Sequence, residues 1–158
     1  MLNRVRIMGT ALVLVFLLNT LALAAEDRIV IEEMDAAGLD QLMQDPNNQG
    51  LIVAMAAWCG PCRKELPTLI KLFEKYEDKG LKIVGISVDA NGPEALQKII
   101  DKAHVNFPVY WVGVDMAHQY NIYAIPMIFF IKNGQVVEKL PGQRSEEFLE
   151  QKIQTLLK

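Results

Sequence analysis

Cysteine is nearly absent from this chain: two in 158 residues, both inside Trp58-Cys59-Gly60-Pro61-Cys62. Histidine is as scarce, with His104 and His118 alone. A zinc site needs four ligands, and neither histidine stands at a finger-like or ribbon-like spacing from the cysteines, so no metal is expected. Charge of one sign is lacking too: 16 basic residues against 19 acidic give a net charge of −3. With no basic stripe, Gly-rich phosphate loop or RNA-type aromatic motif, nucleic acid is excluded as a partner. No internal repeat and no low-complexity segment appears, and nothing calls for a cofactor.

What is present bounds one globular domain with a sizeable core, since 51% of the residues are hydrophobic and 22% charged. The first residues read as an address label. Arg4 and Arg6 precede an apolar region running from Ile7, then Ala22-Leu23-Ala24-Ala25 and the charged Glu26-Asp27-Arg28. This is the layout of a signal peptide over residues 1–24, cut after Ala24, with a domain over 25–158. The alternative is an uncleaved anchor, in which case this segment alone touches the membrane. Either way the domain is expected outside the cytosol, in the periplasm or its equivalent, where thiols meet oxidising conditions.

The cysteines follow the apolar run Leu51 to Ala57 and precede an amphipathic pattern, which places them where a buried strand turns into a helix. Unpaired N–H groups and the positive dipole end of a first helical turn favour thiolate at Cys59, and Pro61 fits there because its missing N–H would have had no partner. A structural disulfide gains most across a long loop, whereas this one spans two residues. A dithiol that cycles is the better reading, because Cys62 is always at hand to resolve a mixed disulfide.

In chain order, the pattern predicts a first strand over Arg28 to Glu33. A helix capped by Asp35 and carrying Leu39, Leu42 and Met43 follows, ending at Asp45-Pro46. Leu51 to Ala57 forms a central strand. The longest helix carries Leu66, Leu69, Leu72 and Tyr76, contains Pro67 and stops at Gly80. Leu81 to Val88 reads as another buried strand, and Asn91 or Gly92 as the cap of a helix with Pro93 at its first position. Asp89 and Asn91 open like a calcium loop but lack its later ligands, so a strand-to-helix turn is read there. A short strand near Phe107 to Val114, helical turns over Met116 to Tyr120, a hairpin turning at Asn133-Gly134 and a final helix capped by Ser145 complete the chain. This is an α/β fold, a three-layer sandwich with a mixed sheet.

This order of elements, with Trp-Cys-Gly-Pro-Cys at the strand-to-helix corner, resembles the thioredoxin fold over nearly the whole of residues 25–158. Pro67 matches that family's kinking proline, and Ile125-Pro126 its cis-proline loop facing the disulfide. A narrower resemblance is to the TlpA/ResA-like exported thiol-disulfide oxidoreductases. It is carried by Trp58-Cys59-Gly60-Pro61-Cys62-Arg63-Lys64-Glu65-Leu66-Pro67, by Lys79 to Asp89, by Asn106-Phe107-Pro108-Val109, and by an extra helix and strand over Pro93 to Trp111. That branch implies reduction of disulfide-containing protein substrates, in some members apocytochrome c during haem attachment, with electrons from a membrane thiol donor. The chain departs from thioredoxin where a buried Asp becomes Val53 and its Lys partner Gly85. It departs from the branch where Met127 replaces the usual Thr.

The resemblance makes Cys59 the exposed attacking thiol and Cys62 the buried resolving one. Glu65, at i+3 from Cys62, either takes the resolving proton or is a solvated residue among Arg63 and Lys64. Trp58 either shields the site as an apolar platform or packs in the core. Gly60, Pro61, Ile125 and Pro126 are expected to contact substrate. Two other functions stay open: an exported oxidant or isomerase using the same dithiol, and a redox-inert binding module. His104 and His118 read as surface or packing residues.

Overall fold

Strand β2 (Gly50–Met55) is buried at every residue, which is what a run with no polar side chain predicts for a strand covered on both faces. The computed structural model describes residues 28–158; the expected leader and its cut lie outside them. Beside β2 runs β3 (Lys82–Ser87), parallel and paired from Gly50–Lys82 to Met55–Ser87. On its other side lies β5 (Met127–Lys132), antiparallel, with Ala54 opposite Met127. With β1 (Glu32–Glu33), β4 (Val109–Trp111) and β6 (Gln135–Pro141) they form one six-stranded sheet in the order β1-β4-β3-β2-β5-β6.

Five α-helices accompany the sheet in the described residues: α1 (Ala36–Gln44), α2 (Gly60–Tyr76), α3 (Glu94–Ala103), α4 (Gly113–Gln119) and α5 (Glu146–Leu156). Helices α3 and α5 pack beside α2 on one face of the sheet. Across the sheet α4 meets α1 through the Tyr120 hydroxyl, which donates to Asp40 at 2.6 Å. The three-layer sandwich with a mixed sheet is therefore as predicted, and the inserted α3–β4 unit places β4 between β1 and β3.

Local chemistry explains most boundaries. Asp35 caps α1 by accepting from the Gly38 N–H, and Ser145 caps α5 by accepting from Phe148. Gly80 ends the short 3₁₀ turn after α2 at a φ of 91°. Asn133 and Gly134, at φ 51° and 71°, form the two-residue turn with positive φ at both positions that the hairpin signal predicts.

Several boundaries differ from the prediction: β4 is only Val109–Trp111, and α4 begins at Gly113, inside the stretch read as strand. The first strand is only Glu32–Glu33, because the backbone ahead of it is held by a side chain: Gln97 of α3 accepts from the Ile31 N–H and donates to the Ile29 carbonyl, each at 2.9 Å. Pro93 stands at the start of α3 as its cap residue, already with helical φ and ψ of −67° and −29°, and Gly92 before it turns the chain at a φ of 86°. None of the helices in the described residues is long and apolar enough to cross a membrane.

Candidate redox site

The C-terminal ends of β2, β3 and β4 and the N-terminal end of β5 meet at one edge of the sheet, a consequence of three parallel strands and one antiparallel neighbour. Everything that turns out to matter chemically sits in the loops along that edge.

Residues 56–59 leave β2 in a tight corner in which the Cys59 N–H donates to the Ala56 carbonyl at 3.1 Å. Cys59 then occupies the cap position of α2, and its Sγ accepts from the Cys62 N–H at 3.1 Å. The two sulfurs are bonded at 2.01 Å, with the Cα atoms 5.3 Å apart. A sulfur in the cap position feels the unpaired N–H groups and positive end of the helix, which stabilise it as thiolate once the bridge opens. Gly60 and Pro61 fill the first turn, Gly60 partly exposed and Pro61 exposed.

The accessibility of the corner corrects one expectation and decides another. Cys59, expected to be exposed, is 3% exposed and Cys62 is 4% exposed, because the bridged sulfurs turn into the core beneath α2. Trp58 is 70% exposed, so its packing role is ruled out and the platform role remains. A partner approaching the bridge meets Trp58 and Pro61 before sulfur.

Ile125-Pro126 is a cis peptide bond directly before β5, at the same edge as residues 56–59. Pro126 is buried and Ile125 half-buried. The Pro126 carbonyl accepts from the Gly142 N–H at 2.7 Å. Met127, in the position where the branch carries Thr, is fully buried in the core and turns no side chain to the surface.

Glu65 is not the solvated residue its neighbours suggested. It is 1% exposed on the buried stripe of α2 with Cys62, Leu66, Leu69, Leu72 and Tyr76. One oxygen, Oε1, accepts from the Arg144 N–H at 2.8 Å; the other, Oε2, is buried with no partner. Burial pushes its carboxyl above the ordinary range, and the Arg144 N–H and guanidinium charge only partly offset this. Burial therefore favours the protonated form of Glu65, which shares the buried stripe of α2 with Cys62. Residues 141–144 form a strap over this edge: Gly142 holds the Pro126 carbonyl, Arg144 holds Glu65, and the Arg144 guanidinium donates back to the Pro141 carbonyl at 2.7 Å.

A second buried acid, Asp89, reads in the sequence only as a turn residue. Asp89, 3% exposed, follows β3 and accepts from the Ala57 N–H with both oxygens, at 3.1 and 2.9 Å. The Ser87 hydroxyl donates to Oδ2 at 2.9 Å, and the Asp89 carbonyl accepts from Trp111 Nε1 at 2.7 Å. Asp89 therefore pins the corner two residues before Cys59 and ties it to β4. The signal was available in Ser87-Val88-Asp89 at the end of a buried strand, where an acid must find donors. The thioredoxin Asp and Lys positions are apolar here: Val53 is buried, and Gly85 packs against Val109 and Met55 so closely that a Cβ would stand 3.1 and 3.2 Å from them.

His104 and His118 are both exposed, and no cluster of metal-ligating side chains occurs among the described residues. The sulfur pair can accept and release two electrons as the bridge opens and closes.

Comparison with known proteins agrees. The AhpC/TSA family model matches residues 35–140. The thiol-disulfide oxidoreductase ResA of Bacillus cereus (strain ZK / E33L) is 32% identical over 126 residues, 77% of this chain and 72% of its own length. ResA of Halalkalibacterium halodurans is 27% identical over 139 residues, 84% and 77% of the two chains. A crystal structure from Chlorobium tepidum, described as a thiol:disulfide interchange protein of the DsbE kind, superposes with a TM-score of 0.65 at 29% identity, covering 72% of this chain and 82% of that one. StoA of Bacillus subtilis shares the fold, with a TM-score of 0.56 at 22% identity over 66% of this chain and 81% of its own. The chain belongs to the AhpC/TSA family and, within it, to the thioredoxin-fold thiol-disulfide oxidoreductases of the ResA and DsbE type.

Proposed function

We propose that this oxidoreductase works as a reductant, transferring two electrons to disulfides of proteins outside the cytosol. The observation that carries the reading is Cys59 at the cap of α2, bridged to Cys62 across Gly-Pro. In the reduced protein the Cys59 thiolate attacks one sulfur of the partner's disulfide, the partner's S–S bond breaks, and one partner thiolate leaves. Cys62 then gives up its proton, to Glu65 or to water, and attacks Cys59 Sγ. The mixed disulfide breaks, the second partner thiolate leaves, and the Cys59–Cys62 bridge re-forms. Returning the protein to its dithiol state requires a donor that is itself a dithiol, and a membrane thiol carrier fits an exported chain. Ile125 offers its backbone to an extended substrate segment, with Trp58, Gly60 and Pro61 bordering it. A substrate within this reading, carried by the resemblance to the ResA branch, is the disulfide of an apocytochrome c before haem attachment.

Two measurements test it. Cys62→Ser should leave a mixed disulfide with partners from a periplasmic extract, visible as a reductant-sensitive band shift that Cys59→Ser removes; no trapped partner sinks the proposal. The reduction potential of the couple should fall near that of thioredoxin, about −270 mV, and a value near −120 mV would make the chain an oxidant instead.

A further inference from the structure

Next to the redox corner, α2 and α3 diverge and leave a groove of about 580 Å³ lined by Arg63, Leu66, Lys98, Ile99, Lys102 and Ala103. Its composition is uneven: the half-buried Ile99 and Ala103 supply apolar surface above the buried Leu66, and the other three side chains supply cations.

These cations are set apart from the rest. The ion pairs of the described residues use Arg28, Lys71, Lys75, Lys82 and Lys152, and none of the groove's three is among them. Of the acids on α3, Asp101 is taken by Arg28, and Glu94, although four residues before Lys98, makes no ion pair with it. Three unneutralised cations on one side of a chain whose net charge is −3 are a local exception to its overall sign. The groove also reaches the chemistry: Arg63 directly follows Cys62, and its guanidinium donates to the Ala57 carbonyl at 2.6 Å, beside exposed Trp58.

We propose that this groove receives an acidic, amphipathic segment of the protein whose disulfide is exchanged at Cys59, its carboxylates meeting Lys98, Lys102 and Arg63 and its apolar side chains covering Ile99 and Ala103. The inference rests on the reductase reading. It adds a specificity surface supplied largely by the inserted helix, which a chain lacking that insertion would not possess. Charge complementarity selects the occupant: an apolar floor alone would accept any hydrophobic segment, but a cationic rim favours carboxylates and speeds encounter with them.

The test uses the full reduced chain and two synthetic disulfide peptides identical except for the segment beside the cystine, one with Leu and Glu alternating at helical spacing, the other with Leu and Lys. The acidic peptide should be reduced with a kcat/KM about fivefold higher. That preference should fade at 0.5 M salt and vanish in the Lys98→Glu/Lys102→Glu double variant. Reduction of the neutral bis(2-hydroxyethyl) disulfide should be unchanged in the variant, showing the fold and the thiols intact. Equal rates for the two peptides overturn the docking proposal while leaving the reductase reading standing. Failure to reduce any of the three disulfides overturns that reading first. Equal peptide rates together with lysine-dependent binding to phosphatidylglycerol vesicles would reassign the groove to an anionic membrane surface and overturn the protein-partner assignment.

Discussion

Two carboxylic acids lie buried at the same edge of the sheet, and they are held in opposite ways. Asp89 has both oxygens engaged, by the Ala57 N–H on each and by the Ser87 hydroxyl on one. Glu65 has one oxygen engaged and one empty. A fully satisfied buried acid behaves as a clasp, because removing it strands its donors in the core. A half-satisfied one stores a tendency to take up a proton, because the unpartnered oxygen has no water to solvate its charge. On the reading proposed above, holding the backbone and moving a proton fall to different carboxyls, Asp89 and Glu65.

Asp89→Ala breaks the comparison most forcefully. It leaves the Ala57 N–H and Ser87 hydroxyl without an acceptor, and urea unfolding should show a loss of about 3 kcal/mol, with a lower midpoint and an unchanged slope. Glu65→Gln should cost no more than about 1 kcal/mol by the same assay, since the amide oxygen can still accept from Arg144. Its effect belongs to the rate: resolution of a preformed mixed disulfide at neutral pH should slow about tenfold or more, as loss of a positioned proton carrier implies. If the two variants exchanged phenotypes, the division of labour would be wrong.

The smallest effect sharpens the difference by pH. Because burial raises the folded-state pKa of Glu65 above its unfolded value, the folded protein binds more protons than the unfolded one between those two values. Stability contributed by this group should therefore be greatest in acid and decline as pH rises from about 4.5 through the folded pKa. Comparing urea midpoints of wild type and Glu65→Gln across that range should isolate the slope, which the variant lacks.

Much of this was legible in the residues. The cysteine corner, the caps at Asp35 and Ser145, the Asn133-Gly134 turn and the all-apolar β2 are local signals, and local physics sets them. What escaped depends on contacts distant in the chain. The segment ahead of Glu32 looked like strand until Gln97, far along the sequence, took its hydrogen bonds. The burial of Cys59 follows from how α2 settles on the sheet, which motif spacing does not encode. Glu65 was half legible: Arg63 and Lys64 suggest solvent, but its spacing from Cys62, Leu66 and Leu69 puts it on the buried stripe, and the stripe prevailed. Asp89 reads in the sequence only as part of a strand-to-helix turn, because its partners, the Ala57 N–H and the redox corner, come from the neighbouring strand's loop.

The two margins of the sheet have a bearing on life among partly unfolded partners. At one margin β1 offers only Glu32 and Glu33, both exposed. At the other β6 carries Glu138 and Lys139, has a register shift opposite Phe130 and Ile131, and ends at Pro141, which has no N–H to offer. An oxidoreductase handling extended chains risks being zipped into them by open strand edges, the route by which sheets nucleate aggregates. Here one edge is too short and charged to template a strand and the other is interrupted, so neither margin offers an extended chain a long ladder to join.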